Sequence, residues 1–263
     1  LIGECSMTRI TIDAMGGDYA PAAIVDGAVW AAIDYNVPIE LVGKEDAIKA
    51  ELERIAKKGI SSNRGGYYTH RLKVDLNSLD IKITDAQEVI EMGEAVGQAI
   101  RKKRKSSIVL AVDAVAKGSS DAVVAAGSTG AAMAASLFGL GRLQGIERPA
   151  IALTLPTIKR PFMLLDAGAN SSCTPEMLYQ FALMGTTFVK NVYGYENPRV
   201  GVLNIGEEAG KGNELVQKTY KMLEENQDGL NFIGNVEGKE IFKGACDVIV
   251  CDGFVGNVAL KTV

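Results

Sequence analysis

Histidine is all but missing from this chain: His70 is the only one in 263 residues. It sits in a stretch, 59–78, whose glycines and paired tyrosines read as an irregular surface excursion, so no Ser–His–Asp or Cys–His catalytic set is expected. Aromatic residues are sparse at 6%. The four cysteines (Cys5, Cys173, Cys246, Cys251) form no C-x-x-C pair, which excludes a secreted disulfide framework and a cysteine–histidine metal site. A reducing cytoplasm is the compartment they suit. The net charge of −4 argues against a general nucleic-acid binder, whose footprint would be basic. No apolar run reaches membrane-spanning length, because Gly139 and Gly141 break the longest one, Ala131–Leu143. No secretory signal opens the chain.

The familiar cofactor and hydrolase signatures are missing too. From Gly206 to Lys211 the spacing is one residue short of a Walker A loop, and Gly212 follows the lysine where Ser or Thr is needed. Gly139, Gly141 and Gly145 are misspaced for a dinucleotide fingerprint. Neither H-E-x-x-H nor G-x-S-x-G occurs. The spacing of Asp13, Asp18 and Asp252 does not demand a metal, so no metal and no cofactor are expected.

Glycine, by contrast, is plentiful at 29 residues, in a chain that is 47% hydrophobic and 23% charged, as in an ordinary globular enzyme. Short apolar runs alternate with amphipathic ones. Strands are expected at 9–12, 39–42, 81–84, 122–126, 149–155, 162–165, 200–204, 231–234 and 247–251. Helices are expected from Pro21, over 44–58, 94–105, 109–117 and 131–137, from Pro175 through Val189, and from Glu214. The alternation predicts a three-layer α/β/α fold with a mostly parallel sheet. The all-apolar run 122–126 reads as a strand buried on both faces. With no composition break, 8–263 reads as one α/β domain with a subdomain near 59–80. Residues 1–6 precede Met7 and read as a non-native leader.

Six turns share one pattern: an apolar strand, then glycines with Asp, Asn, Ser or Thr, then a helix start. They lie at 13–18, 127–130, 166–170, 204–213, 234–238 and 252–257. In open α/β sheets such loops line the ligand crevice at the carboxyl ends of the strands, and their backbone N–H groups suit an anion. The most informative is 200–214, where a strand breaks into glycines 206, 210 and 212. Asn213 is an N-cap candidate for the helix from Glu214. Lys211 therefore stands just before a helix N-terminus, where the dipole and free N–H groups already make the potential positive. A lysine there reads either as holding a bound phosphate or carboxylate or as a solvated surface residue after an ordinary strand–helix turn. The one strong charge run, Arg101, Lys102, Lys103, Arg104 and Lys105, reads either as a solvated helix end or as a dock for an acidic partner or anionic membrane surface.

Several segments, in order, resemble the bacterial phosphate acyltransferases of phospholipid synthesis, the PlsX type. They are Asp13-Ala-Met-Gly-Gly-Asp18, Arg101–Ser107, Ala126-Gly-Ser-Thr-Gly130, Asp166-Ala-Gly-Ala-Asn170, Leu203-Asn-Ile-Gly-Glu-Glu208 with Lys211-Gly-Asn213, Phe232–Gly238 and Asp252-Gly-Phe-Val-Gly-Asn257. The resemblance covers nearly all of 8–263. It implies an isopropylmalate dehydrogenase- or phosphotransacetylase-like fold and no cofactor. It also implies that a fatty acyl group moves from acyl carrier protein to inorganic phosphate, giving acyl phosphate for glycerol-phosphate acylation. Lys105 departs from the family pattern, residues 60–80 match poorly, and family members continue past Val263, so the chain is expected to be C-terminally incomplete.

The resemblance assigns catalysis to Lys211 and Asn257. It assigns phosphate or substrate contacts to Asp13, Gly16, Gly17, Ser128, Thr129, Asn170, Asn204, Gly212, Asn213, Asn235 and Asp252. Arg101, Lys102, Lys103 and Arg104 would dock the carrier. A homodimer is implied, in the cytoplasm or peripheral at the inner face of the membrane, beside a glycerol-phosphate acyltransferase. Competing expectations are a coenzyme A thioester as donor and a non-catalytic carrier-binding scaffold.

Overall fold

The computed structural model describes residues 8–62, 70–91, 93–226 and 229–262. The proposed leader at 1–6 lies outside them. The chain divides into two compact units, Leu1–Gly141 and Arg142–Val263, a division that no change in composition announces.

In the first unit, β1 (Ile10–Asp13), β2 (Ile39–Gly43), β5 (Ile81–Asp85) and β6 (Ala122–Ala125) form a parallel sheet in the order β5-β2-β1-β6. Side chains alternate across it, as strand geometry requires. Ile12, Ile39 and Leu41 pack with Val25, Val29, Ile48 and Ile55 of α1 (Ala22–Tyr35) and α2 (Glu45–Lys58). On the opposite face Val42 meets Ala111 of α4 (Ser107–Ala116). Ile100 of α3 (Val96–Lys102) and Ala135 of α5 (Thr129–Gly139) extend that layer.

Two expectations change here. The 122–126 run is an edge strand in this sheet, with Val124 49% exposed, because nothing pairs beyond β6 among the described residues. The 59–78 excursion contains a hairpin, β3 (Ile60–Ser62) against β4 (His70–Leu72), whose register pairs Ile60 with Leu72. His70 thus opens a strand, while Tyr67 and Tyr68 lie outside the described residues.

In the second unit the order is β10-β9-β11-β8-β7, comprising β7 (Leu153–Leu155), β8 (Phe162–Leu165), β9 (Arg199–Asn204), β10 (Asn231–Glu237) and β11 (Val248–Val250). Only β7 runs antiparallel. Met163, Leu165, Val200, Val202 and Val248 face Leu178, Phe181 and Leu223 of α6 (Pro175–Tyr193) and α7 (Glu214–Glu225). Each such fully buried large side chain contributes about 1.5–3 kcal/mol. Phe162, Leu164 and Ile249 face the other way, towards Ile241 of a 3-10 helix (Gly238–Lys243) and Ala259 of α8 (Gly253–Lys261).

The ends of α6 show why it outruns its expected stop at Val189. Thr174 accepts a hydrogen bond from the Met177 N–H and Pro175 opens the helix. Nothing breaks it until Gly194, whose φ of 68° closes it in a left-handed cap. No helix among the described residues is long and apolar enough to cross a membrane.

The amino edge of the second sheet is tied by Asp247, whose carboxylate is fully buried. Arg199 donates from its backbone N–H at 2.8 Å and from its guanidinium, and Arg160 adds a bond from Nε at 2.9 Å while stacking on Tyr195. Burial works against the charge, but the hydrogen bonds from Arg199 and Arg160 outweigh it and hold the Asp247 carboxyl at about 2. A depressed folded-state pKa stabilises above the unfolded value and is lost as pH falls towards 2. Denaturant melts at stepped pH should show stability falling between about pH 5 and pH 2. Asp247→Asn should flatten that dependence and cost roughly 3–5 kcal/mol at pH 7 by leaving the arginines unpaired.

Candidate active site

In both units the glycine–polar loops follow the carboxyl ends of parallel strands. In the first unit the loops after β1 and β6 touch through their glycines. A Cβ on Gly127 would come 2.9 Å from the Gly16 Cα, and one on Gly17 (φ 102°) would come 2.9 Å from the Ala126 carbonyl oxygen. Two backbones approach that closely only without side chains. Asp13 closes β1 in the buried interior and accepts from the Met15 N–H at 3.1 Å. Burial pushes its pKa up, against the opposing bonds from Ser107, Met15 and Gly16. Ser128 is the N-cap of α5, accepting from the Ala131 N–H at 3.3 Å. Thr129 is the first residue of that helix and is exposed.

The basic run divides. Arg101 and Lys102 close α3, where cations suit the dipole, and both are exposed, as is Arg104. Lys103 turns inward instead: its ammonium donates to Glu94 Oε1 at 2.6 Å and to the Val89 carbonyl at 2.7 Å. It is therefore unavailable as a docking cation, because an acidic residue and a loop carbonyl already hold it. Arg101 and Arg104 rim a groove of about 530 Å³ lined by Ile100, Val109, Ala135 and Phe138.

In the second unit, β8, β9 and β11 are adjacent and parallel, so the loops 166–170 and 204–213 and the start of α8 share one sheet edge. Asp166 organises the first. Its carboxylate is wholly buried and accepts from the backbone N–H groups of Ile151, Gly168, Ala169 and Asn170 and from the Asn170 side-chain amide. The loop lies directly on α8, where a Cβ on Gly253 would be 2.8 Å from the Asn170 carbonyl oxygen and one on Gly256 would run into that of Asp166. Gly168 faces the Asn257 amide, which a Cβ would meet at 3.5 Å. Asp252 caps α8, accepting from the Val255 N–H at 2.9 Å.

The second loop is held by amides. Asn204 donates to the Lys211 carbonyl at 3.1 Å and accepts from the Ile205 N–H. Asn213 caps α7 through the Val216 N–H, as its position before Glu214 predicts. Gly212, at φ 86°, has no room for a side chain, since a Cβ would lie 2.5 Å from the Asn204 oxygen. Lys211 is exposed, with its methylenes over Gly206.

One expected loop is not a loop. Residues 234–237 belong to β10, which absorbs Gly234 (φ 99°) as a register shift between Phe232 and Asn235. Asn235 consequently points its amide at the Glu208 carbonyl at 2.8 Å, bracing the neighbouring loop.

The candidates thus separate by what their side chains already do. Asn170, Asn204, Asn213, Asn235, Asp252 and Ser128 are spent on caps and loop carbonyls. Lys211, Asn257 and Thr129 make no side-chain hydrogen bond or ion pair among the described residues. Sequence reasoning missed Asp166, although Asp at a strand end followed by x-Gly is a turn signal. It also missed Gln217, four residues past the α7 cap, whose amide reaches the Gly210 and Gly212 carbonyls.

Mostly parallel sheets between helical layers, with glycine–polar loops at their carboxyl edges, define a three-layer α/β/α fold. The EutD phosphotransacetylase from Staphylococcus aureus superposes on 97% of this chain and 81% of its own, with a TM-score of 0.65 at 14% identity. A branched-chain phosphotransacylase from Enterococcus faecalis V583 does so over 97% and 83%, at TM-score 0.59 and 15% identity. A 4-hydroxythreonine-4-phosphate dehydrogenase from Klebsiella pneumoniae covers 97% and 82%, at 0.55 and 17%. At such identities the likeness is one of fold.

The chain belongs to the family described as fatty acid synthesis protein, whose model matches residues 8–263. Relatives include the phosphate acyltransferase of Pelotomaculum thermopropionicum, 51% identical over 253 residues, 96% of this chain and 68% of that protein. That of Heliobacterium modesticaldum is 52% identical over 96% of this chain and 70% of its own.

The glycine contacts yield a paired prediction. Gly256→Ala drives a methyl into the Asp166 carbonyl and should cost at least about 3 kcal/mol in denaturant unfolding. Gly210→Ala, which has open space around it, should stay within about 0.5 kcal/mol of the parent.

Proposed function

We propose that this phosphate acyltransferase takes its acyl group from the thioester of acyl carrier protein and passes it to inorganic phosphate through Lys211 and Asn257. The observation that carries the reading is that these two side chains remain unspent on a loop edge where the other amides are committed. Phosphate is partly dianionic near neutrality, as phosphomonoesters with a second pKa of about 6 are, and can attack a thioester without a strong protein base. The leaving thiol, with a pKa near ~8.5, needs little acid assistance. What the protein must supply is position and charge stabilisation.

Lys211 and the N-terminus of α7 hold the phosphate and offset the negative charge that builds as the tetrahedral centre forms. Asn257 orients the phosphate or donates to the oxyanion. Gly212 and the bonded amides of Asn170, Asn204, Asn213 and Asn235 shape the loops around it. The Asp13, Gly16, Gly17, Ser128 and Thr129 loops of the first unit are a second substrate-binding element in this reading.

Direct transfer also suits the cysteines. Burial pushes the Cys173 thiol up to about 11 and Cys246 to about 12, and raises Cys251 further. Reactive cysteines are the reverse, with depressed pKa values. A covalent acyl-enzyme on any of these three is therefore disfavoured.

Arg101, Lys102 and Arg104 attract the acidic carrier. The protein works as a homodimer in the cytoplasm, peripheral to the inner face of the membrane, and hands acyl phosphate to a glycerol-phosphate acyltransferase there.

Mixing the protein with acyl carrier thioester and phosphate, and following thiol release and acyl phosphate, tests the reading. Omitting phosphate should abolish release, and a coenzyme A thioester should substitute poorly. Lys211→Ala should lower turnover by about 10²–10³-fold, the scale of losing one charge-stabilising donor. Near-parental turnover in that variant would remove the lysine from the mechanism. Charge reversal at Arg101 and Arg104 should raise KM for the carrier with kcat unchanged; a fall in kcat alone would refute docking there.

A further inference from the structure

The loop carrying Lys211 uses its backbone asymmetrically. The carbonyls that flank Lys211, and that of Glu208, are taken up internally: Asn235 donates to Glu208, Asn204 donates to Lys211, and Gln217 Nε2 donates to both Gly210 at 2.8 Å and Gly212 at 3.1 Å. The Glu208 carbonyl also accepts from the Lys211 N–H at 3.0 Å. The N–H groups of Gly206, Glu207, Glu208, Ala209 and Gly210 have no intramolecular acceptor among the described residues. Carbonyl dipoles repel an anion, whereas free N–H groups attract one. Side-chain amides therefore occupy the unfavourable half of the loop and leave the favourable half open.

Gln217 occupies a distinctive place in this arrangement. It lies in the first turns of α7, is exposed, and grips the two carbonyls on either side of Lys211. Its exposure means that the Gln217 side chain contributes little to the core. We infer that Gln217 is a positioning residue for phosphate: by holding the Gly210 and Gly212 carbonyls it fixes the direction of Lys211 and keeps the loop's N–H face turned outward. This rests on the reading of Lys211 as the phosphate-binding lysine.

Gln217→Met keeps the length and loses both donors, and Gln217→Glu replaces them with acceptors that repel the same carbonyls. Both should raise the half-saturating phosphate concentration about tenfold, the consequence of losing two ordinary amide–carbonyl bonds. KM for the thioester donor should stay as in the parent. In parallel, hydrogen exchange of the 206–210 amides should slow on adding inorganic phosphate to the parent chain and fail to slow in Gln217→Met.

Parental phosphate dependence together with parental exchange protection in Gln217→Met would overturn the inference. So would an equal rise in both KM values with a lowered melting temperature, which marks a merely structural role. Lys211→Ala separates the two levels. If it loses phosphate protection while Gln217→Met keeps it, only the role of Gln217 falls. If neither variant changes phosphate binding, the reading of the site falls with it.

Discussion

A carboxylate buried at the carboxyl end of a sheet has one cheap way to remain in the interior: it must be saturated with N–H donors. Asp166 meets that condition with four backbone N–H groups and the amide of Asn170, and so dictates the course of its own loop. That loop can then lie on α8 only because Gly253 and Gly256 leave its backbone unobstructed. The position of Asn257 beside Gly168 follows from this contact. The same economy recurs in the first unit, where Gly16, Gly17 and Gly127 let two loops meet backbone to backbone.

The chemistry of the second unit depends on which polar groups remain unused. Most asparagines at its sheet edge look like ligands in the sequence and serve as braces in the fold. A brace is no less relevant to catalysis: a preorganised donor costs no reorganisation when charge develops, and loops are preorganised by such bonds. Lys211 and Asn257 are left over, one at the approach to a helix N-terminus and the other inside the last helix. A phosphate nucleophile asks for little more than such positioning, which accords with a single histidine and three thiols held well above neutrality.

The two edges of the second sheet are built for different tasks. At the amino edge, the buried Asp247 carboxylate is held by both Arg160 and Arg199, which secures the strands. At the carboxyl edge the loops keep N–H groups and an ammonium unpaired. Stability is concentrated where no ligand is expected, and unsatisfied polarity where one is.

Local chemistry alone determined much of this protein. Strands at 39–42 and 162–165 announce themselves as short apolar runs and 81–84 as an alternating one, and Thr174-Pro175 and Asn213 mark helix starts, because caps and proline act within a few residues. The glycine–polar punctuation marked most of the loops at the strand ends for the same reason. Tertiary structure decided the rest, because it depends on partners distant in sequence. Gly234 signals a turn locally, but pairing with β9 stretches it into a bulged strand and converts Asn235 into a brace. The apolar run 122–126 looks doubly buried until the strand order leaves it at an edge. Lys103 belongs to a basic run in the sequence and to Glu94 in the fold. Whether an asparagine is a ligand or a bolt cannot be read from its neighbours along the chain, since the carbonyl it binds is chosen only when the sheet assembles.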